Sequence, residues 1–230
     1  MIDPVLLHLG PLQIRWYGLM YVVGFLVGGA LLNKLARENF FRATKESIDQ
    51  YILYLFIGMF LGARLAYVFI YNWTYYSEHL SEILSVWQGG LSFHGALFGM
   101  VVGTALFAKK QKMPFAEIAD AAVIAGTPGL FFGRMGNFIN GELYGRVTTV
   151  PWGMVFPEGG PLPRHPSQLY EGLLEGLILF LLLFFLRKKV SYRGLIFSFF
   201  ILGYAIFRFI VEFFREADEQ VGYFFSEYIT

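Results

Sequence analysis

Residues 168–187 read QLYEGLLEGLILFLLLFFLR. At about 1.5 Å of rise per residue, such a run makes a rod of about 30 Å, the thickness of a bilayer's hydrocarbon core. Lipid gives the backbone nothing to hydrogen-bond, so the run must satisfy its own amides as a helix. Five more stretches qualify, at about 16–34, 48–71, 91–108, 115–135 and 194–214. The fourth of these contains Gly126, Pro128 and Gly129, which predict a kinked or broken helix. Ten-residue strands of alternating polarity, the mark of a transmembrane barrel, are not found. The expected fold is an all-α integral membrane protein, a polytopic helical bundle of six spans forming one multi-pass domain over residues 1–230.

The composition agrees. Of 230 residues, 56% are hydrophobic and only 15% are charged, against about 25% charged in ordinary soluble domains. The net charge of +1 gives no electrostatic reason to expect nucleic acid. Cysteine is absent, which excludes disulfides, thiolate metal sites and a cysteine nucleophile belonging to the protein. No basic segment or small-residue cleavage site precedes the first apolar run, so that run is expected to be a retained helix, not a cleaved signal.

Orientation follows from where the cations fall. Lys34, Arg37, Arg42 and Lys45 lie between spans one and two, Lys109, Lys110 and Lys112 between three and four, and Arg187, Lys188, Lys189 and Arg193 between five and six. The alternate loops contain no lysine. The N-terminus is therefore expected outside, as are an external segment at about 138–167 and the end of the chain at Thr230. The seven basic residues left over are all arginine: Arg15, Arg64, Arg134, Arg146, Arg164, Arg208 and Arg215. Arginine presents a planar fork suited to phosphate or carboxylate. Arg15 and Arg164 fit equally well as cations snorkelling at the interface.

With that topology, polar groups collect in the outer half of every span. Span one carries Arg15, Tyr17 and Tyr21; span two Arg64, Tyr67 and Tyr71; span three Ser92 and His94. Span four ends in Arg134, Asn137 and Asn140, and span five bears Gln168, Glu171 and Glu175 as one stripe. Span six aligns Tyr204, Arg208, Glu212 and Arg215. Near the inner ends only Glu117 and Asp120 stand out. A central arginine costs roughly 2.5–3.5 kcal/mol, so Arg64, Arg134 and Arg208 must face inward and be paired or hydrated. Two readings stay open: buried ion pairs that hold the bundle together, or a polar cavity facing the outer leaflet. Collection at one depth favours the cavity. His8, His79, His94 and His165 show no ligand spacing, so no metal is expected. Nor is there a nucleophile elbow, a P-loop or a dinucleotide fingerprint. A transporter with the same cavity is the rival class, but no internal repeat supports it.

Where span four meets outer water, residues 133–146 read GRMGNFINGELYGR. Glycines admit close backbone approach, and arginine forks beside asparagine amides suit a phosphate. Alone, the segment also fits a tight external turn. Together with RWYGLMY at 15–21, GGLSFHGALFG at 89–99, LPRHPSQLYE at 162–171 and GYAIFRFIVEFFREAD at 203–218, it makes the chain resemble the bacterial prolipoprotein diacylglyceryl transferases over nearly its whole length. The resemblance implies an enzyme of the bacterial cytoplasmic (inner) membrane, with its active site toward the outer leaflet. Such an enzyme moves the diacylglyceryl group of phosphatidylglycerol to the lipobox cysteine thiol of a prolipoprotein signal peptide and releases glycerol phosphate. This is the first step of lipoprotein maturation.

The same resemblance marks Arg134 as the arginine that binds phosphatidylglycerol, with Asn137, Glu142 and Gly145 as sensitive positions around it. It matches Arg208 and Tyr204 to a second essential site, His94 to a conserved motif histidine and Tyr17 to a first-helix tyrosine. Two departures accompany it. The motif at His94 reads His-Gly-Ala, with Ala96 where a glycine is usual. Family members also normally have a seventh span and a cytoplasmic C-terminus. The expected partners are phosphatidylglycerol, the lipobox peptide and membrane lipid, with no cofactor.

The implied chemistry is a direct displacement by a thiol that the substrate brings. Ionising a thiol of pKa near 8.5 at pH 7 costs only about 2 kcal/mol. Stabilising the departing phosphate matters more, so Arg134 and Arg208 are the expected clamp. His94 or Tyr17 is a general base or an orienting group. Asn140, Glu142 and Glu212 complete the headgroup site, the two glutamates orienting the arginines or binding glycerol hydroxyls.

Overall fold

A computed structural model describes residues 3–9 and 12–216. The expectation for the end of the chain at Thr230 and the last two residues of the 203–218 block lie outside the described residues. Six long helices follow one another: α1 (Trp16–Arg37), α2 (Lys45–Tyr71), α3 (Phe93–Gln111), α4 (Phe115–Asn140), α5 (Ser167–Leu186) and α6 (Leu195–Glu212).

Five of these, all but α3, are long and apolar enough to cross a bilayer among the described residues, against the six expected. The third expected stretch does form a helix. Its apolar character is diluted by Gly95, Gly99, Gly103, His94 and a Lys109–Lys110 end. Of the kink or break expected in the fourth stretch, the break does not occur: α4 runs unbroken through Pro128. Thr127, one residue earlier, donates its hydroxyl to the Val123 carbonyl, a local bond of the kind by which helices accommodate a proline. One element was not expected at all, a hairpin of β1 (Val5–Leu9) and β2 (Leu12–Arg15) leading straight into α1.

The chain divides into two compact units, passing from one to the other within α1 and again within α4. The first holds the chain up to Leu31 and from Ala122 onward. Here α1 and α4 run antiparallel on small residues: Gly28 faces the Ala125 carbonyl, Gly24 faces Gly129, and Gly136 takes the ring of Tyr17. Helix α5 packs on α4 in the same manner, and a Cβ on Gly176 would lie 2.6 Å from the Phe131 amide nitrogen. Residues 172–178 of α5 are wound as a π-helix, a rare form that recurs at functional sites.

The second unit, Leu32–Ala121, is built on α2 and α3. A capping box starts α2, with the Thr44 hydroxyl accepting from the Ser47 amide (3.3 Å) and the Ser47 hydroxyl from the Thr44 amide (2.8 Å). The Ser92 hydroxyl caps α3 by accepting from Gly95 at 3.1 Å. The two helices meet along Gly58, Gly62, Gly95, Gly99 and Gly103, where any Cβ would collide with the facing backbone. Such small-residue seams hold helices together in lipid, where no hydrophobic effect acts between them. Large apolar side chains such as Leu26, Ile70, Phe98 and Phe185 stay exposed on the helices, as a lipid-facing surface requires.

Candidate active site

In the first unit the polar stripes of α4, α5 and α6 converge on one carboxylate. Glu171 is wholly buried and accepts Arg134 Nη2 at 2.6 Å and Arg208 Nη1 at 3.3 Å on Oε2, with Arg215 Nε 3.5 Å from Oε1. Glu212 holds Arg208 Nη2 at 2.9 Å and Arg215 Nη1 at 3.5 Å. The geometry is uneven. The carboxylates are at most 7% exposed, whereas the side chains of Arg134 and Arg208 keep 23% and 29% of their surface open. Glutamates hold both guanidinium groups. Ion pairs thus exist, as one reading allowed, and the two arginine side chains keep part of their surface open.

A second network extends from Arg134. Its Nη1 lies 3.5 Å from Asn137 Oδ1, and Asn137 Nδ2 donates to Glu142 Oε1 at 2.8 Å. Asn140 Nδ2 reaches the same oxygen at 3.2 Å, and Gln168 Nε2 donates to the Glu142 carbonyl at 2.6 Å. Tyr17 stands beside Asn137 and Glu142, its hydroxyl 3.0 Å from that of Tyr21. The i, i+3 and i, i+4 spacings on the helices are what bring these groups to one side. On α6, Tyr204 lies one turn before Arg208 and neighbours the buried carboxyl of Glu175.

The loop after α4 is ordered by its own cations. Arg164 donates Nε to the Gly159 carbonyl at 2.8 Å, pairs with Glu216 at 3.0 Å and lies over the Tyr144 ring. Arg146 Nε donates to the Arg215 carbonyl at 2.7 Å. Gly145 sits where three segments meet: its amide donates to the His165 carbonyl at 2.8 Å, and it bridges to Arg215. A Cβ there would strike the Phe214 carbonyl and lie 2.8 Å from His165 Cβ. Its glycine is explained by packing. Burial beside Tyr170 and Phe214 pushes the His165 pKa below the ordinary histidine value, leaving a neutral ring.

Two other expectations fall in the second unit. Arg64, only 3% exposed, spends its guanidinium on backbone: Nε on Ile83 O (2.7 Å), Nη1 on Gly89 O and Gly90 O (2.8 and 3.0 Å), and Nη2 on Glu82 O (2.8 Å), Ser85 O (3.3 Å) and the Tyr76 hydroxyl (3.2 Å). Tyr76 and Tyr67 add their ring faces. Every N–H of Arg64 is used within its own unit, so it anchors the 77–92 loop. His94 lies in the first turn of α3, edge-on to Phe93, and lines an apolar groove along the α2–α3 seam with Ser92 and Phe98. Sequence reading gave Arg215 and Glu171 no role of their own in the site. The signal for Glu171 was present, since it heads the acidic stripe of α5. Among the described residues no three metal-ligating side chains cluster.

The sequence model of a family described as "Prolipoprotein diacylglyceryl transferase" matches residues 4–229. The chain is 49% identical over 229 residues to a phosphatidylglycerol–prolipoprotein diacylglyceryl transferase of Nitratidesulfovibrio vulgaris (strain DP4), covering 100% of this chain and 87% of that protein. A protein of the same description from Geobacter sulfurreducens is 48% identical, covering 96% of this chain and 85% of its own length. One from Pasteurella multocida is 47% identical, at 99% and 84%.

Proposed function

The chain belongs to the prolipoprotein diacylglyceryl transferase family and is a transferase that moves the diacylglyceryl group of phosphatidylglycerol onto prolipoproteins; we propose that Arg134 and Arg208 are the clamp on which that transfer turns. A lipobox cysteine thiol attacks the glycerol carbon that bears the phosphate. The carbon–oxygen bond breaks, its electron pair goes to the phosphate, and glycerol phosphate leaves. The observation that carries this reading is the single buried carboxylate, Glu171, anchoring both guanidinium groups while each arginine side chain stays partly exposed.

Clamps of this kind work because the charge is already oriented before the reaction and spends no reorganisation at the transition state. Glu171 and Glu212 supply that orientation, and a phosphate entering the open side meets donors held in place. Asn137, Asn140 and Glu142 extend from Arg134 as a site for the headgroup, whose hydroxyls the Glu142 carboxylate accepts. Tyr204 flanks the clamp, Gly145 aligns the loop that carries Glu142, and Tyr17 orients the acceptor.

The clamp is set in a bundle of six spans, α3 making the sixth crossing, with the N-terminus and the 138–167 segment outside. The basic loops face the cytoplasm, and the enzyme works at the outer leaflet of the bacterial inner membrane, to which phosphatidylglycerol diffuses sideways. Purified protein mixed with phosphatidylglycerol and a lipobox peptide is expected to yield the diacylglyceryl-peptide mass, and Arg134→Ala protein is expected to yield none. Equal adduct from both proteins rejects the clamp.

A further inference from the structure

Displacement by a thiol releases a proton, and most carboxylates of the first unit are already engaged. Glu171 serves three arginines, Glu212 serves two, and Glu142 takes two amide donors. Glu175 differs. It is 2% exposed, its Oε1 has no hydrogen-bond partner among the described residues, and Tyr204 is a neighbour. An unmatched carboxyl oxygen in a protein interior is costly and calls for an explanation. The groups that face it are Glu171 on its own helix, Arg134 on α4, and Tyr204 and Arg208 on α6. The π-helical winding of residues 172–178 carries it, and Gly172 and Gly176 bring that winding hard against α4.

We propose that Glu175 is the final acceptor of the thiol proton and acts through Tyr204, an inference that rests on the clamp reading above. Tyr204 is half-buried, one helical turn from Arg208, and has Glu175, Glu171, Arg134 and Arg208 as neighbours. As sulfur attacks, its S–H bond breaks and that proton passes to the Tyr204 oxygen. The proton already on Tyr204 passes to a Glu175 carboxylate oxygen. The carbon–sulfur bond forms, the carbon–oxygen bond to phosphate breaks, and the electron pair leaves with the phosphate. Tyr204 ends unchanged and Glu175 ends protonated, to be reset when product departs. Glu175 touches no substrate and is therefore a positioning residue for the proton.

The test is a pH series of transfer to a lipobox peptide by the full chain in phosphatidylglycerol-containing micelles. A free thiol of pKa near 8.5 is roughly 3% ionised at pH 7, so losing the acceptor has a ceiling. Glu175→Gln is expected to lower turnover at pH 7 by up to about thirtyfold, with KM for phosphatidylglycerol unchanged. Its rate should then climb about tenfold per pH unit toward pH 8.5, as the thiol ionises by itself. Tyr204→Phe is expected to give the same profile from the other end of the path, and the double variant should be no worse than either. A loss that is flat with pH, a wild-type profile in Glu175→Gln, or additive losses in the double variant each overturn the proposal. Should wild-type protein form no adduct at any pH, or Arg134→Ala match it, the clamp itself fails and the proton path with it. If Glu175→Gln does not fold, the Tyr204→Phe profile decides.

Discussion

Arg64 and Arg208 answer the same problem, a guanidinium at membrane depth, in opposite ways. Arg64 is surrounded by backbone carbonyls and two tyrosine rings until no N–H is left over. Arg208 is held by two carboxylates on one side and remains 29% exposed on the other. Neutral carbonyls leave the cation its charge yet enclose it, which makes a structural anchor. Carboxylates holding a partly exposed cation suit the receptor proposed above. Burial and charge alone do not separate the two; the identity and direction of the acceptors do.

The contrast can be broken by mutation, starting where the effect is greatest. Arg134→Ala and Arg208→Ala are each expected to cut transfer by about 10²–10³-fold, the usual loss when a preorganised donor is removed, with helical content by circular dichroism unchanged. Turnover within a few-fold of wild type in either variant would undo the receptor half of the comparison. Glu171→Gln leaves the cations but loosens their anchor. Misplacement by about 1 Å costs up to about 10²-fold, so a loss of about ten- to a hundredfold, mostly in kcat, is expected in the same assay. Arg64→Met empties the carbonyl cage. Leaving buried partners of a charge unmatched costs about 3–5 kcal/mol, so its Tm in detergent should fall clearly, while transfer per folded molecule drops only a few-fold. An Arg64→Met protein that melts like wild type would show that the cage contributes nothing. Lys109→Ala and Lys188→Ala should match wild type in both measurements, and a tenfold change in transfer would mean that the basic loops matter to the chemistry.

The sequence shows the receptor far better than the anchor. Glu171 and Glu175 on α5, and Tyr204, Arg208, Glu212 and Arg215 on α6, recur at helical spacing, so their alignment is visible before any coordinates exist. Arg64 displays the same arginine-with-tyrosines pattern, yet its acceptors are main-chain carbonyls 18 to 26 residues downstream, and a carbonyl has no letter in a sequence. The hairpin of residues 5–9 and 12–15 was missed for a similar reason: it is too short and too apolar to stand out beside the span that follows it. No break occurs at Pro128, where the adjacent Thr127 hydroxyl bonds the Val123 carbonyl, a bond the letter Thr allows without announcing.

Gly145 has a consequence for how inactive variants are interpreted. The loop that carries Glu142, the residues entering α5 and the chain just beyond α6 all touch at this one α-carbon. A side chain added here would act as a wedge, prying apart the segments that carry Glu142, His165 and Arg215. Silencing by Gly145→Ala would therefore report faulty alignment, and a scan that equates silence with contact would draw the binding pocket one residue too wide.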